Sequence, residues 1–499
     1  MNYTRLINNQ TIPISSIPVL DYALFLEVNV SHLIKTDGAH CVNYYGLPYG
    51  DALKLICCIA TDDLECIYVS SCIVNAKQEL SSFAKHNLMF EKFEREIHEN
   101  FGIVYIDHPW LKPVRYPFNR ADKDSTIVNY PFFKIESEEL HELGVGPIHA
   151  GIIEPGHFRF ICNGEQILHL EIQLGYQHRG IEQLFVEKKK LLQRTTLAEN
   201  IAGDMVVGHT VAFVNLWESL CDYKPARDLQ LARTLALELE RIAIHTGDLG
   251  GMCTDVGYQL GSAVYGRLRT PVINYFQQWC GNRLAKGLIR ARKNNYTFSN
   301  ELADQLLKLF EKYEPDFEDM CEELFSSPTA LARFEKTGVV TNEQASMLGT
   351  VGMAARMTGI KRDIRFSHPH DLYPELYHQP IIKNHGDAYS RAQIRKEEIR
   401  QSIGYIRELI KILPQIENNQ DTLFPPSPDS FTISLVEGWR GEICHCAITD
   451  SDGELIHYKV KDPSFHNWLA VALAVRNNEI SDFPICNKSF GLSYSGHDL

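Results

Sequence analysis

The chain has 499 residues, and a single hydrophobic core stops growing at about 250–300 residues, so at least two domains are expected. Hydrophobic residues make up 44% and charged residues 22%, which are globular proportions and exclude an intrinsically disordered chain. The formal net charge of −14, with basic residues spread among acidic ones, argues against nucleic acid as the main partner.

Targeting and cysteine patterns predict a reduced, cytoplasmic protein. The first residues, MNYTRLINNQTIPISS, lack a basic start followed by an apolar run, so no signal peptide is expected. No uncharged apolar run is long enough to span a membrane. The thirteen cysteines form no CxxC pair, which favours free, buried thiols. In Cys444-His445-Cys446, strand alternation would put His445 on the face opposite both sulfurs, which argues against a shared metal.

Residues 1–125 are predicted to form a small α+β domain. Two β-branched runs within 53–73, separated by an acidic turn, predict a hairpin. The stretch 77–100 has apolar residues at helical spacing and predicts a helix. Prolines and the charged patch RADKDS then interrupt the pattern, so we place a linker at 126–140.

Residues 141–499 are predicted to form a mainly helical domain with β elements near both ends. Asn163-Gly164 lies between two alternating runs and predicts a type I′ hairpin. Helical periodicity covers 181–193, 197–221, 226–249, 258–290, 301–323 and 391–413. Three strands follow, FTISLVEG, GEICHCAIT and ELIHYKV, and they predict a sheet that caps the helices.

The first candidate for chemistry is His149 in GVGPIHAGIIEPGHFRF. Gly144, Gly146 and Pro147 make a turn that leads His149 towards the hairpin. Imidazole can give and take a proton near neutral pH. The alternative is an ordinary loop histidine without a catalytic role.

Two further stretches carry charge at helix ends. In LGYQHRGIEQLF, Arg179 and Glu182 are spaced for an i,i+3 pair, which would be a plain salt bridge at a helix start. In LELERIAIHTGDLGGMCTDVG, a helix with Glu240, Arg241 and His245 runs into a glycine-rich segment. Buried charges on that helix need partners from other segments, since an unpaired buried charge costs several kcal/mol.

Together these motifs resemble two related families. EREIHENFGIVYIDHPWL (94–111) resembles the signature of the C subunit of bacterial NADH-quinone oxidoreductase, with Glu99 at the position of the usual Asp. The rest resembles the D subunit of that enzyme and the large subunit of membrane-bound, energy-converting [NiFe] hydrogenases of the formate hydrogenlyase type. The matching segments are GPIHA, LGYQHRGIE, LERIAIH…D, 336–365, GDAYSR, VEGWRGE and DPSFHNW. The resemblance implies a fused C/D-type subunit with the hydrogenase large-subunit fold.

The resemblance also locates a lost metal site. In the hydrogenases, ENIAGDMVVGHT is replaced by a motif whose two cysteines hold nickel and iron; those positions are Ala202 and Met205 here. The second cysteine pair falls at Ser493 and Gly496. Nickel bound by soft sulfur needs thiolates, which none of the four residues supplies, so we expect no metal. An unusual metalloenzyme with non-cysteine ligands is the alternative, with His209 as one candidate ligand.

The quinone-reducing relatives imply a different use of the same pocket. Their headgroup contacts a His, supported by an Asp, and a Tyr. By position His149 matches the His and Asp255 the Asp, whereas the Tyr position falls at Gly203. The resemblance places Asp204, His209 and Arg356 in the pocket wall as well. We therefore expect His149 and Asp255 to supply protons, with a quinone or another small molecule as acceptor.

The resemblance further implies partners. A separate small subunit would carry a [4Fe-4S] cluster facing His178, Arg179 and Glu182, and Arg179 would raise the potential of that cluster. Membrane subunits would dock below the pocket, which places the chain peripherally on the cytoplasmic side of the inner (plasma) membrane. The chain has no GxGxxG after a strand and no Walker motif, so it is expected to bind no nucleotide or other cofactor itself. A non-catalytic bridge between the cluster and membrane subunits is the alternative function.

Overall fold

The computed structural model describes residues 2–75, 78–151, 153–413 and 425–499. The strands of these segments are β1 (Thr4–Leu6), β2 (Thr11–Pro13), β3 (Val19–Leu20), β4 (Ala39–Tyr49), β5 (Ala52–Thr61), β6 (Cys66–Asn75), β7 (Glu79–Ser81), β8 (Val104–Ile106), β9 (His141–Val145), β10 (His157–Asn163), β11 (Gln166–Gln173), β12 (Ile289–Arg290), β13 (Lys293–Asn294), β14 (Ser430–Glu437), β15 (Glu442–Thr449) and β16 (Leu455–Lys461).

Most of the α-helices lie between β11 and β14 in the sequence. They are α1 (Tyr22–Leu26), α2 (Glu91–Phe101), α3 (Ile181–Glu187), α4 (Leu191–Ala198), α5 (Val206–Leu220), α6 (Arg227–Asp255), α7 (Gln259–Cys280), α8 (Asn300–Ser326), α9 (Pro328–Phe334), α10 (Asn342–Leu348), α11 (Met353–Arg356), α12 (Ile364–Ser367), α13 (Ala388–Lys411), α14 (Pro463–Ala474), α15 (Phe483–Phe490) and α16 (Tyr494–Asp498). The chain thus has the mixed α and β composition that the sequence predicts.

The N-terminal sheet has the order β1-β6-β5-β4, with β3 added in parallel to β6. The predicted hairpin of 53–73 is confirmed as β5 and β6, and α2 packs against β4. The predicted helix 77–100 is wrong in its first half within the described residues, because α2 begins only at Glu91. The Glu94 carboxylate accepts hydrogen bonds from the Ser82 hydroxyl and the Phe83 and Ala84 amides, so those groups are bound to a side chain instead of a helical turn.

The second region begins with the sheet β11-β10-β9, which confirms the predicted second hairpin. The turn is formed by Gly164 and Glu165, since Asn163 still pairs with Gln166, and of the two only Gly164 has a positive φ, so the turn differs from the predicted type I′ geometry. The predicted helix 181–193 is split into α3 and α4. The predicted helix 197–221 is interrupted at 199–205, since α4 ends at Ala198 and α5 begins at Val206. The helix predicted over 258–290 ends at Cys280.

The helical core of the described residues is built mainly from four long helices, α6, α7, α8 and α13. α6 packs against α7 and α13, and α8 packs against α7. Their buried apolar faces form one large cluster that also includes parts of α5, β14 and β16. The predicted helices at 226–249, 301–323 and 391–413 are confirmed as α6, α8 and α13.

The C-terminal sheet has the order β16-β15-β14-β2 and confirms the three predicted strands. Its fourth strand comes from the N-terminal region, since Phe431 of β14 pairs with Ile12 of β2. One hydrophobic cluster combines N-terminal residues such as Val42 and Tyr45 with Ile433 and Leu435. The proposed units 1–125 and 141–499 therefore share a sheet and a core, and the stretch between them is largely exposed.

Among the described residues, no helix is both long and apolar enough to cross a membrane.

Candidate functional site

Two segments distant in sequence meet at the predicted pocket. The first is the loop 199–205 between α4 and α5, and the second is 493–496 at the start of α16. The Arg179 guanidinium donates to the Ile201 carbonyl at 2.8 Å and to the Ser495 carbonyl at 3.0 Å. One arginine therefore joins both segments in which the sequence resemblance places the nickel-ligand positions of the hydrogenases.

The structure fills those positions with protein groups. Ala202 and Met205 are fully buried, and the Ser493 hydroxyl caps α16 by accepting from the Gly496 amide at 2.8 Å. A Cβ atom added at Gly496 would lie 2.5 Å from Asp462 Oδ2, closer than real Cβ contacts. The residues therefore do not fit a [NiFe] group. Within the described ranges, no group of three or more His, Cys, Asp or Glu is placed to hold a metal ion.

Asp462 begins a chain of buried polar groups. Its Oδ2 lies 3.0 Å from His209 Nε2, and His209 Nδ1 lies 3.1 Å from His445 Nε2. His445 Nδ1 in turn lies 2.7 Å from the Tyr458 hydroxyl. Burial raises the pKa of Asp462, but the bond from His209 and the Arg440 charge leave it below its usual value. Burial lowers the pKa of His445 well below its usual range.

His445 lies on the opposite strand face from Cys444 and Cys446, as its neighbours show. The two sulfurs are 3.8 Å apart beside Asn43 and belong to the cluster shared with the N-terminal sheet. His445 points instead to His209. The predicted separation of His445 from both thiols is confirmed.

The loop at Gly203 and Asp204 faces solvent on one side of the pocket. A Cβ added at Gly203 would meet nothing within 4 Å, so the predicted tyrosine position borders open space. The Asp204 carboxylate accepts two hydrogen bonds from Arg440, at 3.0 and 2.6 Å. The Trp439 indole donates to the Asp204 carbonyl at 2.7 Å. The VEGWRGE segment therefore holds this loop in place through Trp439 and Arg440.

His149 lies on a loop that adjoins the same segments. Its Nε2 donates to the Gly156 carbonyl at 2.8 Å, and its ring packs against Phe158. A neighbouring carboxylate, Glu154, accepts from the Tyr494 amide at 3.2 Å and the Ser495 amide at 3.3 Å. The loop that carries His149 therefore contacts residues 494–495, and the role of His149 in a pocket stays a prediction.

Asp255 is not brought to His149. It is an exposed residue at the end of α6. In the part of the chain that the structure describes, no hydrogen bond or ion pair joins the two side chains. Their cooperation in proton supply stays a prediction.

His178, Arg179 and Glu182 line a cavity of about 920 Å³ where the two regions meet. The predicted Arg179–Glu182 pair does not form, because α3 begins after Arg179 and Gly180 adopts a left-handed φ of 68°. Glu182 pairs instead with Lys459 at 3.0 Å. His178 Nδ1 donates to the Asp498 carbonyl at 2.7 Å, and burial lowers the pKa of His178.

Arg356 does not line the pocket, which corrects the sequence-based placement. Its fully buried guanidinium lies 2.6 Å from Glu398, 2.8 Å from Glu437 and 3.3 Å from Asp363. An arginine at such a depth needs carboxylate partners, and the bundle supplies three. Arg356 therefore stabilises the interior by pairing with all three carboxylates.

The charged helix α6 finds the partners that the sequence requires. Glu240 accepts from the Val207 and Gly208 amides at the start of α5, at 2.7 and 3.2 Å. Arg241 donates to the carbonyls of Glu437 and Gly438. His245 Nε2 donates to Glu398 at 2.7 Å. The prediction that these partners come from other segments is confirmed.

Comparisons with known proteins identify the family of the chain. A model of the family described as "Respiratory-chain NADH dehydrogenase, 49 Kd subunit" matches residues 255–432. The D subunit of NADH-quinone oxidoreductase from Dehalococcoides mccartyi (strain ATCC BAA-2100) is 30% identical over 354 residues, which are 68% of this chain and 93% of the relative. The chain belongs to this D-subunit family.

Other relatives include a fused C/D protein and a hydrogenase component, the two kinds of protein that the sequence resembles. The fused C/D protein of NADH-quinone oxidoreductase from Phocaeicola vulgatus is 27% identical and covers 80% of this chain and 83% of that protein, which confirms the resemblance to a C/D fusion. Hydrogenase-4 component G of Escherichia coli is 25% identical and covers 81% of this chain and 73% of that protein. A chain of the membrane-bound sulfane sulfur reductase, an archaeal respiratory membrane complex, shares the fold with a TM-score of 0.68 at 21% identity, over 74% of this chain and all of that chain.

The sequence did not indicate that Asp462, Arg440 and Tyr458 belong to the candidate site of this D-subunit family member. Asp462 lies in DPSFHNW and Arg440 in VEGWRGE, two segments that carried the resemblance. Their roles depend on contacts with residues more than 200 positions away. No sequence motif marked Tyr458. Tyr458 and His209 are far apart in the sequence and come near each other only because β16 and α5 share one buried cluster.

Proposed function

We propose that this chain is the fused C/D-type subunit of a membrane-associated, complex I-like oxidoreductase that uses no nickel. It passes electrons from a [4Fe-4S] cluster in a small partner subunit to a quinone or another small acceptor. The acceptor binds between segments 199–205 and 493–496. The observation that carries the proposal is that Asp462 fills the place of a ligand side chain at Gly496, while the two segments stay joined through Arg179.

The character of the pocket supports an organic acceptor. Gly203 borders open space, and the Asp204–Arg440 pair and Asp462 provide polar groups nearby. Small-molecule sites combine apolar surface with a few fixed polar groups of this kind. Names of relatives such as the membrane-bound hydrogenase of Pyrococcus furiosus support membrane association, with the chain as a peripheral subunit on the cytoplasmic side.

The cavity between the two regions supports the place of the partner cluster. Arg179 is exposed there and brings positive charge to the rim. A positive charge beside an iron–sulfur cluster favours its reduced form and raises its potential. In this proposal the chain itself holds no cofactor, and the partner supplies the electrons.

A non-catalytic bridge is the second candidate. The observation in its favour is that His149 Nε2 is already bonded to the Gly156 carbonyl and has no bond to Asp255 among the described residues. Under this alternative the chain would connect the cluster subunit to the membrane subunits without touching the acceptor.

Replacement of His149 separates the two candidates. In the assembled complex we expect His149→Ala to lower acceptor turnover by about 10²-fold or more, since loss of a general acid–base group costs about 10²–10⁴-fold. The matched control is His157→Ala, because His157 Nδ1 donates to the Gly146 carbonyl at 3.2 Å on the adjoining strand. Turnover is measured after gel filtration confirms assembly. Wild-type turnover in His149→Ala would refute the catalytic role and favour the bridge.

A further inference from the structure

Four buried groups form a continuous hydrogen-bonded path through the second domain. They are Asp462, His209, His445 and Tyr458, with successive distances of 3.0, 3.1 and 2.7 Å. Asp462, His209 and His445 are fully buried, and Tyr458 is 1% exposed. Each contact is within hydrogen-bond range, so the path has no gap for a water molecule to bridge.

The chemistry of the groups gives the path one direction. Asp462 also accepts from the Ser464 amide at 2.7 Å, and as a carboxylate it has no proton to donate to His209. His209 therefore donates from Nε2, and in the tautomer whose Nδ1 carries no proton it accepts there from His445 Nε2. His445 then accepts at Nδ1 from the Tyr458 hydroxyl. Every donor meets an acceptor, and all the bonds point from Tyr458 towards Asp462.

The two ends of the path open onto different places. At one end, Asp462 Oδ2 adjoins Gly496 and the Ser493 hydroxyl in the candidate pocket. At the other end, Tyr458 lines the 920 Å³ cavity together with His178 and Glu182. That cavity is large enough to hold many water molecules. The path therefore runs from a residue in the wall of this cavity to the place proposed for the acceptor.

Apolar packing isolates the middle of the path. The Tyr458 ring stacks on Phe185 with centroids 4.1 Å apart, and Phe213 packs beside both rings. On the other face of β15, Cys444 and Cys446 separate His445 from the N-terminal sheet. Apolar rings therefore surround the Tyr458 end of the path, and the two cysteines cover its His445 side.

We propose that Asp462, His209, His445 and Tyr458 form a proton relay that supplies the reduction in the pocket. This inference rests on the proposed function, because the proton needs an acceptor that is being reduced. The relay adds a proton source that neither His149 nor the partner cluster provides.

The transfer is balanced in protons. A cavity hydronium gives one proton to the Tyr458 oxygen as the Tyr458 O–H proton passes to His445 Nδ1. The His445 Nε2 proton passes to His209 Nδ1, and the His209 Nε2 proton passes to Asp462 Oδ2. Water remains in the cavity, Asp462 becomes a neutral acid, and no electrons move along the relay. After Asp462 has delivered its proton, each ring must turn so that its protonated nitrogen again faces the next acceptor before another proton can pass.

Removal of the Tyr458 hydroxyl tests the relay in the assembled complex. We expect Tyr458→Phe to lower turnover at least tenfold and to raise the solvent deuterium isotope effect, while reduction of the partner cluster by its donor stays unchanged. The matched control is Tyr405→Phe, since the Tyr405 hydroxyl lies 2.7 Å from His378 Nδ1 outside the relay. Both variants lose one buried bond to a histidine, so a purely structural effect would be similar in the two.

The outcomes separate the relay from the proposed function. Wild-type turnover and isotope effect in Tyr458→Phe, or equal losses in both variants, would overturn the relay. Absence of acceptor turnover in the wild-type complex would refute the proposed function instead. Solid-state NMR of the full chain with ¹⁵N-labelled histidine then tests the relay independently of turnover. Protonated Nε2 and unprotonated Nδ1 on both His209 and His445 would support the relay. The reverse tautomers would overturn it.

Discussion

Substitution of Gly496 tests whether the former ligand position is closed. In Gly496→Ala the new Cβ would lie 2.5 Å from Asp462 Oδ2 and 3.0 Å from Ser493 Oγ. Overpacking of a buried site costs about 1–3 kcal/mol. If Asp462 moves aside, its bond to His209 is lost, and a buried hydrogen bond to a charged group contributes about 1.5–3 kcal/mol.

The favourable effect of alanine is smaller than these costs. Alanine in a helix is preferred over glycine by at most about 1 kcal/mol, so the net destabilisation should be about 1–4 kcal/mol. The matched control is Gly203→Ala, where the new Cβ meets nothing within 4 Å, and its effect should stay within about 0.5 kcal/mol.

Urea denaturation of the two full-length variants, followed by tryptophan fluorescence, measures both effects. A clearly lower midpoint for Gly496→Ala than for Gly203→Ala is expected. If Gly496→Ala is as stable as the wild type, the Asp462 carboxylate can be displaced without cost, and the argument that this position cannot hold a ligand side chain fails.

Two further predictions concern the domain boundary and a buried carboxyl group. Limited proteolysis should first cut between about 117 and 140, where most residues are exposed, and early cutting within 181–249 would contradict this boundary. Burial raises the pKa of Glu240 to about 8, so the folded state binds more protons than the unfolded state from the ordinary value of 4.5 upward. The free energy of unfolding should therefore fall as pH rises towards 8, by at most about 1.4 kcal/mol per pH unit from Glu240. In Glu240→Gln the urea midpoint should fall less over the same pH range. An unchanged pH slope in this variant would show that another group is responsible.

Local patterns predicted the elements whose contacts are near in sequence. The hairpin β10–β11 and the long helix α6 follow from alternation and from helical spacing, since both depend on which face of one segment is apolar. The stretch 77–100 shows the limit of that reasoning. Its apolar spacing is helical, but Glu94 binds the backbone of 83–84 and a parallel strand pair, β7–β8, uses part of it.

The candidate site was predicted only in part, for a similar reason. Family resemblance placed His149, Ala202 and Ser493 near one pocket, and the structure brings their segments together. It placed Arg356 there as well, although three carboxylates from other elements hold that side chain in the interior. Which charges neutralise one another in a core depends on three-dimensional packing, and neither spacing nor residue type encodes it.

The division into two units shows the same dependence on distant contacts. The stretch 126–140, where the composition changes, is largely exposed, and its role as a domain linker stays a prediction. The composition gave no sign that Thr11–Pro13 adds a strand to the C-terminal sheet, because three residues carry too little pattern to predict a partner over 400 positions away.

The central claim is that this subunit takes part in reduction of a small acceptor without nickel. The most direct measurement combines elemental analysis of the natively purified complex with its turnover of quinone analogues. The account predicts iron and sulfide from the partner's cluster, no nickel, and turnover that His149→Ala abolishes. Stoichiometric nickel assigned to this chain, or hydrogen formation in place of acceptor reduction, would contradict it.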